Sequence, residues 1–387
     1  MQRTDRSRGR PRPAHRRTPD GGARPRLRLT SLQLRNYRNY QRLDLEPGSR
    51  LNVFLGANGE GKTNLLESVA LLALSASPRA RRDSELVGPL APEARIGAVV
   101  ETGARRAEIG ISIRVEGERA RRRIEVDGQP RRAVDLPGLF RVTLFWPDDL
   151  NLVKSGPEHR RRLLNEMLVQ VRPGYARALS RYARVLEQRN SLLKQVAMGE
   201  QPPSALDVWD LELARLGEEL VAARRQAVAD LAVSAAAGHR AISGGEVLEL
   251  RYAGPPDDLL AAIQSSRRED LRRGTTSIGP HRDDVVVRLD GRDARAFASQ
   301  GQQRTAVVSI KLAEAEVVAE MTGERPVLLL DDVLSELDAG RRGSLLEQLG
   351  EPGQVIITSV EADPFPESVI GSSVVRCIER GMVKTCG

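Results

Sequence analysis

The sequence predicts an α/β fold in which a head with mixed sheets is interrupted by an inserted α-helical subdomain. Three observations predict it. An apolar strand pattern at residues 51–55 runs into a glycine-rich loop and then into a helix pattern over 63–74. From about 157 to 242 the apolar period changes to a 4,3 spacing. Short apolar runs then return at 327–330 and 355–358, too short for a membrane span and right for a buried parallel sheet. The implied division is a leader over 1–27, the N-terminal part of the head over 28–156, a helical arm over 157–270 and the C-terminal part of the head over 271–387.

The elements follow in order. Leu32 and Leu34, then Leu43 and Leu45, alternate like two half-buried strands around a turn at 36–39. In the 63–74 helix, Leu65, Leu66, Val69 and Leu72 share one face, and Pro78 lies beyond its end. Short alternating segments at 107–115 and 123–126 lead to Asp127 and Gly128, a hairpin-turn pair. Tyr175, Leu179, Tyr182, Leu186, Leu193 and Val196 form one heptad run, with Arg189 in a core slot. Trp209, Leu213, Leu216, Leu220, Ala223 and Ala227 form another. The helix-breaking stretch 199–204 separates the two, so a short antiparallel helical hairpin is expected. Each arm spans about three heptads, or roughly 30–35 Å. An ordinary helical subdomain fits the same spacing. Residues 285–289 read as a strand, and 302–321 as a helix ending at Gly323.

Composition narrows the function classes. Apolar residues make up 40% of the chain, a globular value. No window holds ~18 uninterrupted apolar residues, so no membrane span is expected, and the N-terminus lacks the apolar stretch of a secretory signal. Cys377 and Cys386 are the two cysteines. Their spacing suits no zinc site and two thiols make no disulfide framework, so a reducing cytoplasm is expected. The net charge of +8 is concentrated in residues 1–26, where nine Arg stand against two Asp; that leaves the remainder at +1. This Pro/Gly/Arg stretch reads as a disordered leader or a start codon placed too far upstream, with a DNA-adhesive arm as the alternative. Five Lys stand against 55 Arg, which singles out Lys62 as a position that kept lysine.

Four motifs carry chemistry. Gly56, Ala57, Asn58, Gly59, Glu60, Gly61, Lys62 and Thr63 fit G-x-x-x-x-G-K-[ST] between a strand and a helix. Backbone N–H groups there approach phosphate oxygens, the helix N-terminus adds positive potential, Lys62 reaches the terminal phosphates and Thr63 offers a hydroxyl to Mg²⁺. Asn64 completes the expected nucleotide-binding set. The apolar run 327–330 ends in Asp331 and Asp332, an expensive place for charge without a cation; Asp331 is expected to join Thr63 on Mg²⁺, and Asp332 to orient or deprotonate the attacking water. Ser299, Gly301 and Gln302 open the helix before that strand and form a second anion site. A second site needs a reason, and the γ-phosphate of a partner's nucleotide supplies one. Residues 335–338 follow closely and belong at the same boundary.

This order (phosphate loop, long insertion, Ser-x-Gly-Gln, carboxylate strand, Ser-x-Leu-Asp) resembles the ABC ATPase class, and the helical insertion resembles the SMC group rather than transporter subunits. Transporters usually carry Glu after the first Asp and a His after the next strand. Asp332 and the pair Thr358 and Ser359 stand there instead. Asp is one methylene shorter than Glu, so a weak, slow ATPase is expected.

Four further segments resemble the RecF family in particular: 34–40 (Leu-Arg-Asn-Tyr-Arg-Asn-Tyr), 145–150 (Phe-Trp-Pro-Asp-Asp-Leu, with Asp148 in place of the usual Glu), 156–162 (Gly-Pro-Glu-His-Arg-Arg-Arg) and 276–284, which contains Gly-Pro-His-Arg-Asp-Asp. The resemblance implies ATP and Mg²⁺ as cofactors, an ATP-dependent homodimer, binding to double-stranded and gapped DNA, and work with RecR and RecO that promotes RecA loading at gaps. An SMC-like ATPase acting as a nuclease or translocase subunit is the alternative. Arg119, Arg121, Arg122 and Arg123, then Arg160, Arg161 and Arg162, then Arg267, Arg268, Arg272 and Arg273 are groups able to neutralise phosphates, although a solvated surface is the simpler reading of any one of them. Aromatic residues at 3% leave little for base stacking, so contact to a duplex backbone is the expectation. His281 beside Arg282 suits contact with DNA or nucleotide, and equally a turn-stabilising role.

Overall fold

The computed structural model describes residues 27–103, 105–336, 339–349, 353–362, 365–366, 371 and 373–386. The leader up to residue 26, and Leu337 and Asp338 of the last motif, lie outside the described residues. In chain order come β1 (Arg28–Tyr37), β2 (Tyr40–Leu45), β3 (Leu51–Leu55), α1 (Lys62–Leu74), β4 (Glu93–Thr102), β5 (Arg105–Glu116), β6 (Arg119–Val126), β7 (Gln129–Arg131), β8 (Val142–Phe145), α2 (Asn151–Lys154), α3 (Pro157–Val171), α4 (Tyr175–Ala197) and α5 (Leu206–Ser243). Then follow β9 (Leu248–Ala253), α6 (Leu259–Ser265), α7 (Arg267–Arg273), β10 (Asp284–Leu289), β11 (Arg292–Asp293), α8 (Ala294–Phe297), α9 (Gln300–Thr322), β12 (Val327–Asp331), α10 (Ala339–Leu349), β13 (Val355–Ser359), β14 (Val374–Glu379) and β15 (Met382–Thr385).

Among the described residues these strands form three sheets. An antiparallel sheet runs β2-β1-β4-β5-β6-β7, and a central sheet runs β15-β14-β3-β13-β12-β8. In the central sheet β14, β3, β13, β12 and β8 are parallel, and β15 closes one edge as an antiparallel hairpin with β14. The small sheet β11-β10-β9 is antiparallel; β9 lies within 157–270 and β10 beyond it, so the helical segment and the C-terminal part of the head share it.

Helix α1 is sandwiched between the two large sheets. Leu66, Val69 and Leu72 share a core with Leu32, Leu34, Ile96 and Ile111 on one side and with Phe54, Leu144, Leu329 and Ile356 on the other. Burial therefore runs round the helix and not along the single face expected from the sequence. Each leucine so enclosed contributes roughly 1.5–3 kcal/mol. The opposite face of the central sheet presents Val53, Phe145, Leu330 and Ile357 to Val308 of α9 and Leu345 of α10. Helices α1 and α9 thus cover opposite faces of one sheet.

The helical hairpin is present as α4 and α5 around the break at 198–205, but its second arm is longer than expected. At 38 residues α5 spans roughly 57 Å at ~1.5 Å per residue. Val228, Leu231 and Ala235 continue the apolar spacing past Ala227 and share a core with Val307, Ile310 and Ala313 of α9, so tertiary burial prolongs the helix until Gly244, at φ 77°, ends it. The heptad slot taken by Arg189 is fully buried: its guanidinium pairs with Asp210 at 2.7 Å and Asp270 at 2.8 Å, tying α4 to α5 and α7.

One expectation is corrected. Cys377 and Cys386 form a disulfide, with Cα atoms 5.1 Å apart. Residues nine apart meet because the turn at Arg380 and Gly381 folds β15 back on β14, so that Cys377 faces Lys384 in register. Among the described residues no helix is long and apolar enough to cross a membrane.

Candidate nucleotide-binding site

The loop at 56–61 leaves the C-terminal end of β3 and enters α1. Its carbonyls are held from outside. Asn39 Nδ2 donates to Glu60 O at 2.9 Å, Tyr40 Oη donates to Gly61 O at 2.9 Å, and the Gly381 N–H donates to Glu60 O at 3.0 Å. With these carbonyls engaged by the β1–β2 and β14–β15 turns, the loop's amides and the start of α1 are left to face an anion. Gly61 has φ 118°, and a Cβ there would stand 2.6 Å from Asn39 Nδ2; the position requires glycine on both counts. Asn64 donates to Asn39 Oδ1 at 2.9 Å and accepts from Arg79 at 3.0 Å, so its side chain braces the same turn.

Lys62 is buried, and its Nζ donates to the carbonyls of Gly56 and, at 3.0 Å, Ala57. Burial holds its pKa below the usual lysine value, against the pull of Asp332, Asp331 and Glu60. Asp331, at the end of β12, is pushed the other way: burial raises its carboxyl above the usual range, opposed by hydrogen bonds from Thr358 and Thr63. Thr63 Oγ1 donates to Asp331 Oδ2 at 2.7 Å and Thr358 Oγ1 to Asp331 Oδ1 at 2.7 Å. A cation beside Asp331 and an anion beside Lys62 would each restore the charge that burial disfavours, and Mg²⁺–triphosphate supplies both.

Mg²⁺ fits this corner. It is commonly held by one or two protein oxygens plus substrate phosphates, and a hydroxyl and a carboxylate converge here. Among the described residues no cluster of three or more His, Cys, Asp or Glu is arranged for a metal, so phosphate oxygens are needed to complete its shell. Asp332 follows at φ 53°, its N–H bound to Thr358 O at 3.1 Å. Its Oδ1 is buried without a hydrogen-bonding partner among the described residues. Thr358 thus holds both aspartates.

Ser299 caps α9. Its Oγ accepts from the Gln302 N–H at 3.2 Å, and Gln302 Oε1 accepts from the Ser299 N–H at 2.8 Å. The hydroxyl proton is left for another acceptor. Gly301 sits under α10, where a Cβ would stand 2.9 Å from Arg341 Nη1. The structure therefore brings together residues 56–64, Asp331 and Asp332, and sets Ser299, Gly301 and Gln302 on the helix that covers the other face of the sheet.

A family model described as the RecF/RecN/SMC N-terminal domain matches residues 28–381. A protein named DNA replication and repair protein RecF, from Heliobacterium modesticaldum, is 39% identical over 369 residues, covering 92% of this chain and 99% of that protein.

The chain belongs to the RecF family.

A RecF from Listeria welshimeri is 38% identical over 373 residues, covering 92% of this chain and all of that protein. A solved structure described as the recombination mediator protein RecF with ATP, in the RecFOR pathway, superposes with a TM-score of 0.87 at 30% identity, over 95% of this chain and 100% of that one. An Smc head bound to the C-terminal winged-helix domain of ScpA gives a TM-score of 0.55 at 13% identity over 92% of this chain and 96% of that one, a likeness of fold alone. The fold class read from the sequence, an ABC-type ATPase head with a helical insertion, is that of the family.

The RecF-like segments are joints in this structure. Residues 34–40 form the strand and turn that brace the phosphate loop. In 145–150, Asp149 Oδ2 accepts from the Trp146 N–H at 2.7 Å. Arg160, at the start of α3, pairs with Asp284 at 2.6 Å, and Arg161 donates to Asp283 O at 2.7 Å. His281 Nε2 lies 3.0 Å from Thr276 O and Nδ1 lies 2.7 Å from Tyr182 Oη, contacts that suit the turn-stabilising role. Other candidate DNA contacts are also engaged: Arg122 pairs with Asp83, Arg267 with Asp207 and Asp210, and Arg272 with Glu269. Sequence reading missed Asn39, Tyr40 and the β14–β15 turn as supports of the loop, because nothing local marks contacts made across the fold.

Proposed function

We propose that this chain is an ATP-dependent DNA-binding protein of recombinational repair whose ATP-bound copies pair head to head. Lys62 and the amides of 56–64 take the triphosphate, Thr63 and Asp331 hold Mg²⁺, and Asp332 orients the attacking water. Ser299, Gly301 and Gln302 of one copy close on the terminal phosphate held by the other. ATP binding joins the heads and slow hydrolysis parts them. In this reading the dimer binds double-stranded or gapped DNA in the cytoplasm and acts with RecR and RecO, promoting RecA loading.

The observation that carries the reading is the separation of the two anion sites. The phosphate loop and α1 lie on one face of the central sheet and α9 with Ser299 covers the other. A second phosphate-ready helix end with no role at its own nucleotide finds one at a neighbour's. Light scattering with and without Mg-ATP tests it. The mass should double with ATP; Lys62→Ala and Ser299→Arg should each remain monomeric, and Asp332→Asn should hold the dimer longer. A Ser299→Arg chain that doubles its mass with ATP contradicts the shared site.

A further inference from the structure

Behind Gln302 lies a chain of contacts that the nucleotide site does not use. Gln302 Nε2 donates to Glu246 Oε1 at 2.8 Å. Glu246 stands in the loop just past α5. Its other oxygen, Oε2, lies 3.4 Å from Nε2 of His239, a fully buried residue in the last turns of α5. Both of these atoms are buried and lack a hydrogen-bonded partner among the described residues.

The proton positions follow from the neighbours. Ser309 Oγ lies 2.8 Å from the Thr305 carbonyl, which can only accept, so the hydroxyl proton points there. His239 Nδ1, 3.1 Å from the same Oγ, must then be the donor. A neutral His239 would turn the lone pair of Nε2 toward a carboxylate oxygen. The contact is attractive only with a proton between the two.

We propose that Glu246 and His239 are positioning residues for the shared nucleotide site: a proton held between them fixes Glu246, and Glu246 fixes the Gln302 end of the segment that meets the partner's phosphate. This rests on the head-to-head reading above. Arg341 of α10 also faces the cluster, its charge opposing protonation of His239. Burial pushes the imidazole pKa down, and Glu246 pulls it back. The shared proton is therefore lost as pH rises, and the hold on Gln302 weakens in the same direction.

The test uses the full chain with Mg²⁺ and the slowly hydrolysed analogue AMP-PNP. Dimer dissociation constants are measured from pH 5.0 to 8.0, to either side of the ordinary imidazole value of 6.5 below which burial moves His239, and nucleotide affinity at monomer concentrations. Glu246→Ala should weaken the dimer about ten-fold, the scale of one lost charge-assisted hydrogen bond, with monomer nucleotide affinity unchanged. Glu246→Gln keeps an oxygen for Gln302 and should recover most of the loss. His239→Gln supplies a permanent donor and should flatten the weakening that the wild type shows toward high pH. Glu246→Ala dimerising like the wild type, or losing nucleotide affinity in step with dimerisation, would overturn the proposal, as would an unchanged pH profile in His239→Gln. A wild type that stays monomeric at every nucleotide concentration overturns the head-to-head reading itself, a distinct result.

Discussion

Thr63 and Asp331 stand 268 positions apart in the chain, yet the hydroxyl of one donates to the carboxylate of the other at 2.7 Å. That contact joins the first turn of α1 to the end of β12 and defines the corner where a cation would sit. Thr358, from the neighbouring strand, takes the remaining carboxylate oxygen. The aspartate is thereby aimed before any ion arrives, which lowers the cost of ordering it on binding.

Thr358→Val keeps the shape of the strand and removes the second hydroxyl. Groups that orient a metal ligand from outside are typically worth about 10–100-fold in metal affinity. The Mg²⁺ concentration that supports tight ATP binding should rise by that order, while ATP binding in EDTA should be unchanged. A titration of Mg²⁺ against a fluorescent ATP analogue measures both.

Gly61→Ala strains the loop twice, through its φ of 118° and through Asn39 at 2.6 Å from the new Cβ. Such backbone strain costs about 1–3 kcal/mol. A lowered melting temperature and a loss of nucleotide binding should appear together. Alanine at Gly59 shares the strain of a positive φ, 86°, but its Cβ would meet none of the described residues, so it should disturb the loop less.

Arg189→Met removes the cation that both Asp210 and Asp270 share. Asp210 keeps Arg267, but Asp270 is left with neutral donors, chiefly Ser277. Breaking one side of a buried ion pair costs about 3–5 kcal/mol. Denaturant unfolding should show a loss of that size, with nucleotide affinity retained by molecules that remain folded.

Much of this was legible in the sequence, for physical reasons. The β3–loop–α1 unit, the Ser299 cap and the Gly323 stop of α9 are local patterns, and local patterns are written in neighbouring residues. The extension of α5 was hidden because its warrant is a partner helix that follows about sixty residues later. The bracing of Glu60 and Gly61 by Asn39, Tyr40 and Gly381 was hidden for the same reason. The Cys377–Cys386 pairing depended on a turn at Arg380 and Gly381, both with positive φ, and Arg-Gly is a weaker turn signal than Asp-Gly. The arginine clusters showed their charge but not their partners, so Arg122 and Arg160 were legible as cations and not as structural struts.

His281 predicts a pH dependence. Nε2 must donate to the Thr276 carbonyl, so Nδ1 accepts from Tyr182, and a second ring proton would oppose that bond. Burial, aided by Arg282 and Arg161, holds its pKa below the ordinary value of 6.5. A group with a depressed folded pKa favours the unfolded chain when protonated. The stability it contributes is complete above 6.5 and is lost as pH falls through the folded value. Melting curves from pH 7.5 to 5.0 should show this decline in the wild type and a shallower one in His281→Gln.

The central claim is that one nucleotide is enclosed by two chains, and mixing two defective chains tests it most directly. Lys62→Ala lacks a working cradle but has Ser299; Ser299→Arg has the cradle but a blocked helix end. Each alone should hydrolyse no ATP above background. Mixed in equal amounts, a pair of unlike chains has one complete site, and hydrolysis should rise well above the sum of the separate rates. A mixture that hydrolyses no more than that sum, while the wild type is active, would contradict the account.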